Sequence, residues 1–408
     1  MDERTRPVRL KDACVDAGQY GVNVSPDEYR TSGVRMLRTS DLAEQGLTSE
    51  EDGVFLGGPI PPAQVLHEND LLLSRAGTIG RSYLVPASGA GRTYAGFLIR
   101  FRPQVGFNPR FLQYSLRSKP TQDQINAEAV TSTIQNFNAE RYANLSIPDA
   151  SLEEQRRIAD FLDDRVARID HIIGSRRSQL TALDEIRSSL VAEAVGSVDV
   201  SDVPIWMMAR GITDGAHVSP ETEGGEFDFV STRDVSAAGD IDFDGSLKTT
   251  EASYRVLERQ GCQPHSGDLL FSKDGTVGRT ALVNEDRPFV VASSLIIIRP
   301  DSTRVDAGFL HYMFKEPRVV AQVDAFVKGA GLPGISIANL KRVVGVFPEL
   351  SDQRQLRVKL DRHFSTLRTQ QDNLVWAVAL LQEYKQSLIT AAVTGELDVT
   401  TASTDLPS

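Results

Sequence analysis

The stretch "LLLSRAGTIGR" occupies Leu71–Arg81, and "LLFSKDGTVGR" occupies Leu269–Arg279. They agree at Leu71/Leu269, Leu72/Leu270, Ser74/Ser272, Gly77/Gly275, Thr78/Thr276, Gly80/Gly278 and Arg81/Arg279, each pair 198 positions apart in a chain of 408 residues. The same offset returns elsewhere. Phe111-Leu112 and Tyr114 answer Phe309-Leu310 and Tyr312, and Gln155-Arg156 answers Gln353-Arg354. Asp163, Leu183, Glu185 and Leu190 answer Asp361, Leu381, Glu383 and Leu388. Ile147-Pro148 and Phe347-Pro348 stand 200 apart, which puts a two-residue indel just before each "QR" segment. Self-similarity at one fixed offset makes this a tandem duplication of a two-part unit.

The first part of each unit mixes short β-type runs with Gly, Pro, Asn and Asp turns. In the first copy the runs are Asp70–Ser74, Ser82–Pro86 and Gly96–Phe101; in the second they are Asp268–Ser272, Thr280–Val283 and Ser294–Arg299. A helical patch follows each, around Pro109–Ser118 and Ala307–Lys315. Each module reads as α+β and on the order of 150 residues, an ordinary domain size.

In the second part the period switches. Leu162, Val166, Ile169, Ile173, Leu180, Leu183 and Leu190 step by threes and fours, with Arg176 and Arg187 in the remaining slots. Leu360, Phe364, Leu367, Leu374, Val378, Leu381 and Leu388 do the same, with Gln371 and Lys385 in the gaps. A 3.5-residue seam sustained over four heptads predicts a coiled coil. The second module must be reached from the end of the first helix, so the two helices pack antiparallel. The expected fold is α+β: two α+β modules (1–150 and 198–350) alternating with two long helices (151–197 and 351–398), then a flexible tail (399–408).

With 40% hydrophobic and 24% charged residues, the composition is that of a soluble globular protein. No run of 18 apolar residues occurs, and Met1–Leu10 is charged from the start, so neither a membrane helix nor a secretory signal is expected. Cys14 and Cys262 have no CxxC spacing, which fits a reducing cytoplasm and no zinc site. The net charge of −11 argues against a chain that simply coats nucleic acid. Glu221, Glu223, Glu226 and Asp228 make the second module the more acidic, so the isolated chain is expected to bind DNA poorly.

Catalytic signatures are missing. The GTIG and GTVG loops invite a phosphate cradle of backbone amides, but neither has the GxxxxGK[ST] of a P-loop. The bland alternative is a tight turn in which glycine supplies positive φ. The six His include no HExxH or HxH pair, no GxSxG elbow occurs, and no N-P-P-Y-type segment is written. Glu383-Tyr384-Lys385 matches a nuclease ExK only formally, since Lys385 lies in the seam. Candidate DNA contacts, to backbone more than bases, are Ser74, Arg75, Thr78 and Arg81 in the first loop, and Lys273, Thr276 and Arg279 in the second. Arg38 and Thr39 of "RTSD", and Thr232 and Arg233 of "STRD", join them. No metal site is expected.

Two diverged modules with the S-[RK]-x-G-T-[IV]-G-R loop, each followed by Ile/Phe-Pro and an xQRxI/L helix, resemble the specificity subunit of type I restriction–modification systems. "IPDASLEEQRRIADFLDDRVARID" (Ile147–Asp170) and "YKQSLITAAVTGELDV" (Tyr384–Val399) are similar to that family's helix entry and C-terminal close. The resemblance implies two target recognition domains, each reading one half of a bipartite, asymmetric double-stranded DNA target. It implies a helix pair that sets the spacer and docks two methyltransferase subunits, and restriction–translocase subunits that complete the complex. S-adenosylmethionine, ATP and Mg are then expected on the partners, with no cofactor in this chain and no catalysis by it. Rival readings are a specificity-like subunit of another phage-defence complex, a nucleotide-using enzyme, and a coiled-coil adaptor with two protein-binding heads.

Overall fold

In the second module the run Leu295–Pro300 is apolar at four consecutive positions, and all four side chains are buried. Alternate residues of a strand face opposite sides of its sheet. Here Ile296 and Ile298 join one hydrophobic core with Phe309 and Met313, while Leu295 and Ile297 join another with Val230 and Phe289. A sheet covered on both faces therefore explains why the sequence lacks the alternation of a half-exposed strand.

The structure, a computed structural model, describes residues 6–43, 46–47, 53–129, 136–196, 202–329 and 333–401. The chain falls into two units: residues 1–176 with 377–408, and residues 177–376. In the first, Gln19–Tyr20 (β1), Leu71–Ser74 (β2), Ser82–Leu84 (β3) and Leu98–Phe101 (β4) form an antiparallel sheet in the order β1-β4-β2-β3. In the second, Ala209–Asp214 (β5), Leu269–Ser272 (β6), Thr280–Leu282 (β7) and Leu295–Pro300 (β8) give the order β5-β8-β6-β7, again antiparallel. A second sheet flanks each one, of four strands in the first unit and three in the second. It contains a parallel pair in both units, Thr93–Tyr94 on Val34–Leu37 and Phe289–Val291 on Phe227–Val230. Each module closes on a strand pair, Arg6–Arg9 with Ser146–Asp149 and Asp202–Pro204 with Val344–Val346.

The helical patches form where the sequence places them. Pro109–Arg117 (α1) starts at Asn108, whose side chain accepts from the N–H groups of Arg110 and Phe111. After α1 comes the long helix Leu152–Gly196 (α2, 45 residues). Ala307–Met313 (α3) is capped by Asp306 and is followed by Leu350–Thr394 (α4), also 45 residues. At 1.5 Å per residue each long helix runs roughly 68 Å. The unit division falls inside both, after Arg176 and after Trp376. α4 stops at Thr394, before the expected 398, because Gly395 takes φ +77° and the Leu397 N–H turns back to the Ala391 carbonyl at 2.9 Å. Of the expected tail, residues 402–408 lie outside the described residues.

The expected seam residues are covered along both long helices. Leu162, Val166, Ile169, Ile173, Leu183, Leu360, Leu367 and Leu388 are buried, and Leu180, Leu190, Phe364, Leu374, Val378 and Leu381 are half-buried. In the first unit Lys385 Nζ meets Asp170 at 3.0 Å; in the second, Arg187 donates to Gln371 at 2.6 Å. The partner moves down α4 as the position moves up α2, so the helices run antiparallel as a coiled coil. The seam also enters the modules. Phe111 and Tyr114 of α1 pack with Leu162 and Val166, while Val191 and Leu360 pack with Phe309 and Met313.

Candidate functional site

Ser74 ends β2 fully buried, and its hydroxyl donates to the Thr78 carbonyl across the glycine loop. Ser272 does the same to Thr276 in the second unit. The loops turn on glycine: φ is +75° at both Gly77 and Gly275, +82° at Gly80 and +93° at Gly278, a region that favours a residue without Cβ. Three of these four glycine amides already have partners. The Gly80 N–H donates to the Tyr142 hydroxyl at 2.9 Å, Gly278 to the Ser272 carbonyl at 3.0 Å, and Gly275 to the Pro333 carbonyl at 2.9 Å. The amide-cradle reading therefore gives way to the turn reading, and cationic side chains remain as the loop's means of meeting an anion.

The arginine closing each loop joins it to the other polar stretch singled out in the sequence. Arg81 donates to the Leu42 carbonyl, and Arg279 to that of Val235 at 3.0 Å. Leu42 and Val235 directly follow two short 3-10 turns, Thr39–Asp41 and Thr232–Asp234. In each turn an aspartate caps the start: Asp41 accepts the Arg38 N–H at 3.0 Å and Asp234 accepts the Ser231 N–H at 2.8 Å. Burial opposes ionisation of Asp41, yet hydrogen bonds from Arg38 and the charges of Arg38 and Arg35 hold its carboxyl below the usual carboxylate range. Loop and turn thus form one frame, present twice.

The remaining candidates differ in what they offer to solvent. Thr78 and Thr276 are exposed at the loop tips, and Arg233 is exposed beside Asp234. Arg38 is partly exposed, while Thr39 is half-buried. Thr232 is buried and bonds Ser294 through both its N–H and its hydroxyl. Arg75 lies over the Tyr20 ring at 5.0 Å and donates to Asn136 at 3.2 Å. Its counterpart Lys273 is held by Asp214 at 2.7 Å.

Sequence reading did not foresee how the modules fasten to the helices. Gln155 and Gln353 are almost fully buried. Gln155 accepts the Asn108 N–H at 2.7 Å and donates to the Ala150 carbonyl at 2.8 Å; Gln353 treats Asp306 and Pro348 alike, at 2.9 and 2.8 Å. Two turns further along each long helix, the Tyr114 hydroxyl donates to Asp163 at 2.7 Å and the Tyr312 hydroxyl to Asp361 at 2.8 Å. Burial first, and then the neighbouring carboxylate, push both phenols above their ordinary value. The signal was present, since all these positions recur at the 198 offset. Among the described residues no group of three His, Cys, Asp or Glu is placed to hold a metal, and no helix is long and apolar enough to cross a membrane.

Comparison with known proteins converges on one family. Residues 62–182 match the family model described as type I restriction modification DNA specificity domain. That span holds the first loop, α1 and the Gln155 latch; the second loop, α3 and Gln353 are their counterparts 198 positions on. The chain is 20% identical over 395 residues to the Escherichia coli type I restriction enzyme EcoBI specificity subunit, covering 90% of this chain and 81% of that one. It is 26% identical over 114 residues to a putative type I restriction enzyme specificity subunit of Haemophilus influenzae, 28% of either chain. A chain solved in work on complex assembly and conformational transition of the type I R-M system superposes with TM-score 0.69 at 18% identity, covering 97% of this chain and 99% of that one. Residues 62–182 thus match the DNA specificity domain of type I restriction–modification, and the chain is similar to specificity subunits of those systems over nearly its whole length.

Proposed function

We propose that this chain is the non-catalytic DNA sequence-specificity subunit of a type I restriction–modification complex. One observation carries the reading: the same loop-and-turn frame, tied by Arg81 to Leu42 and by Arg279 to Val235, is built twice on sheets of the same order. The side chains set on that frame differ, Arg75 over Tyr20 in one and Lys273 on Asp214 in the other. A duplicated scaffold with two different faces suits a bipartite, asymmetric target, each module reading one half while phosphate contacts fix its register. The helix pair sets the spacer and docks two methyltransferase subunits, since two similar halves offer a repeated partner two similar faces. S-adenosylmethionine, ATP and Mg belong to those partners and to the restriction subunits. The partners reach adenine N6 by flipping the base out of the stack.

The test is a map of N6-methyladenine in genomic DNA from cells co-expressing this chain with an adenine methyltransferase subunit of a type I system from the same genome. A two-part motif with a fixed spacer is expected, and exchange of the module around Leu71–Arg81 should change one half of it. A stable complex that leaves DNA unmethylated would overturn the reading in favour of a non-modifying defence or adaptor role.

A further inference from the structure

A cavity lies beneath the glycine loop in each unit, between the loop and the long helices. The first encloses about 300 Å³ and the second about 350 Å³. Arg81, Arg117 and Lys385 line the first; Arg279, Lys315 and Arg187 line the second. Arg81 and Arg279, Arg117 and Lys315, and Arg187 and Lys385 are each 198 positions apart, so the same three places carry a cation in both repeats. At two of them Arg and Lys have exchanged while the charge has stayed.

The anionic neighbours have not been kept. Asp170, which holds Lys385, corresponds to Arg368; Asp184, which holds Arg187 at 3.0 Å, corresponds to Gln382. Asp324 in the wall of the second cavity corresponds to Asn126. Had Lys385 and Arg187 been retained for these ion pairs, Asp170 and Asp184 would have been retained with them. Lys315 lies over the Phe364 ring at 5.4 Å, and among the described residues no carboxylate stands within ion-pair distance of it. Burial, and then the charge of Arg187, push its ammonium down to about 8, with only Asp240 acting the other way. Two desolvated cations share that wall, an arrangement that an entering anion relieves.

We propose that each cavity is a phosphate-binding site, in which the cations at positions 117 and 385, or 315 and 187, receive the oxygens of a phosphate or phosphodiester group. Arginine and lysine both serve such a group, one as a fork and the other as a point charge, so their exchange costs little where charge is what counts. The phosphate is either free in solution or part of the DNA backbone. The second source alone rests on the DNA-specificity reading above.

Isothermal titration of the full chain with inorganic phosphate, with and without Lys315→Met and Arg117→Met, tests the free source. Two sites are expected, each variant removing one. Lys315→Arg and Arg117→Lys, which repeat the exchange already made between the repeats, should keep both and act as folded controls. Salt titrations of DNA binding by the complex with its methyltransferase test the other source: each DNA phosphate lost lowers the slope of log K against log salt by about 0.9. Phosphate uptake with unchanged DNA slopes assigns the sites to a free phosphate; lowered slopes without free uptake assign them to the DNA backbone. Neither effect, in variants that melt no lower than the charge-keeping controls, overturns the proposal. A wild-type complex without sequence choice would overturn the specificity reading instead, while the phosphate titration of the chain alone would still decide the sites.

Discussion

The side-chain oxygen of Gln155 accepts the backbone N–H of Asn108 at 2.7 Å, which bonds the first turn of the long helix α2 to the residue that caps α1. The match between Gln155 and Gln353 makes each glutamine a latch between module and helix. Gln353→Leu leaves the Asp306 N–H and the Arg304 and Pro348 carbonyls without this partner. A loss of roughly 2–4 kcal/mol is expected, read from the shift of the urea midpoint. An unchanged midpoint would show that water replaces the side chain.

The Tyr114–Asp163 and Tyr312–Asp361 bonds give an alkaline signature. Both phenols titrate higher in the folded chain than the usual value near 10, so the unfolded chain loses its protons first. Their contribution is complete below about pH 10 and falls away as the pH rises further. Tyr114→Phe with Tyr312→Phe should cost about 0.5–1.5 kcal/mol per site at neutral pH and flatten the alkaline limb of a stability profile.

Lys315 predicts the opposite slope. Its folded value near 8 lies below the unfolded one, so the unfolded chain binds the extra proton between about pH 8 and 10.5, and stability rises across that window. His311, pushed by burial and by Lys315 to about 3, stays neutral throughout and adds nothing there. In phosphate-free buffer Lys315→Met should therefore raise stability at pH 7 by roughly 2 kcal/mol, with the gain vanishing toward pH 10.5. Thermal melts across that range would show it; a gain independent of pH would point to packing instead.

Two glycines separate backbone strain from collision. A Cβ on Gly275 would meet nothing within 4 Å, so Gly275→Ala carries only the cost of a left-handed backbone, about 1–2 kcal/mol. A Cβ on Gly215 would lie 2.2 Å from the Ala292 carbonyl oxygen and 2.5 Å from that of Val291. Gly215→Ala should destabilise the second unit well beyond Gly275→Ala in the same denaturation assay.

Much of the fold was written in periods. Leu162, Val166, Ile169 and Ile173 announced a seam because their spacing has only one structural meaning, and the glycines of both loops announced a turn. Side-chain direction was another matter. Nothing in "LLLSRAGTIGR" says that the Ser74 hydroxyl turns inward to Thr78, or that Arg81 reaches back to Leu42, a residue 39 positions away. Lys273 and Asp214 meet across 59 positions with no motif between them. Gln155 was visible as a repeated letter, but its role depends on burial, which spacing does not encode. The three cations of each cavity were legible singly, as a loop arginine, a helix end and a seam irregularity, and only the packing puts them in one wall.

The division of the chain into 1–176 with 377–408, and 177–376, has a consequence for how the protein is made. Domains tend to fold as units while the chain is still being synthesised from its N-terminus. The second unit is one unbroken stretch and has all its residues once position 376 has emerged. The first unit, although begun earlier, lacks Lys385, Leu388, Ile389 and Ala392 from its core until the whole second unit has been made. Until those residues arrive, the apolar stripe from Leu162 to Ile173 has no covering helix. The module synthesised first is therefore the last to be completed, and a ribosome that stalls before residue 377 releases a chain with a finished second unit and an unfinished first.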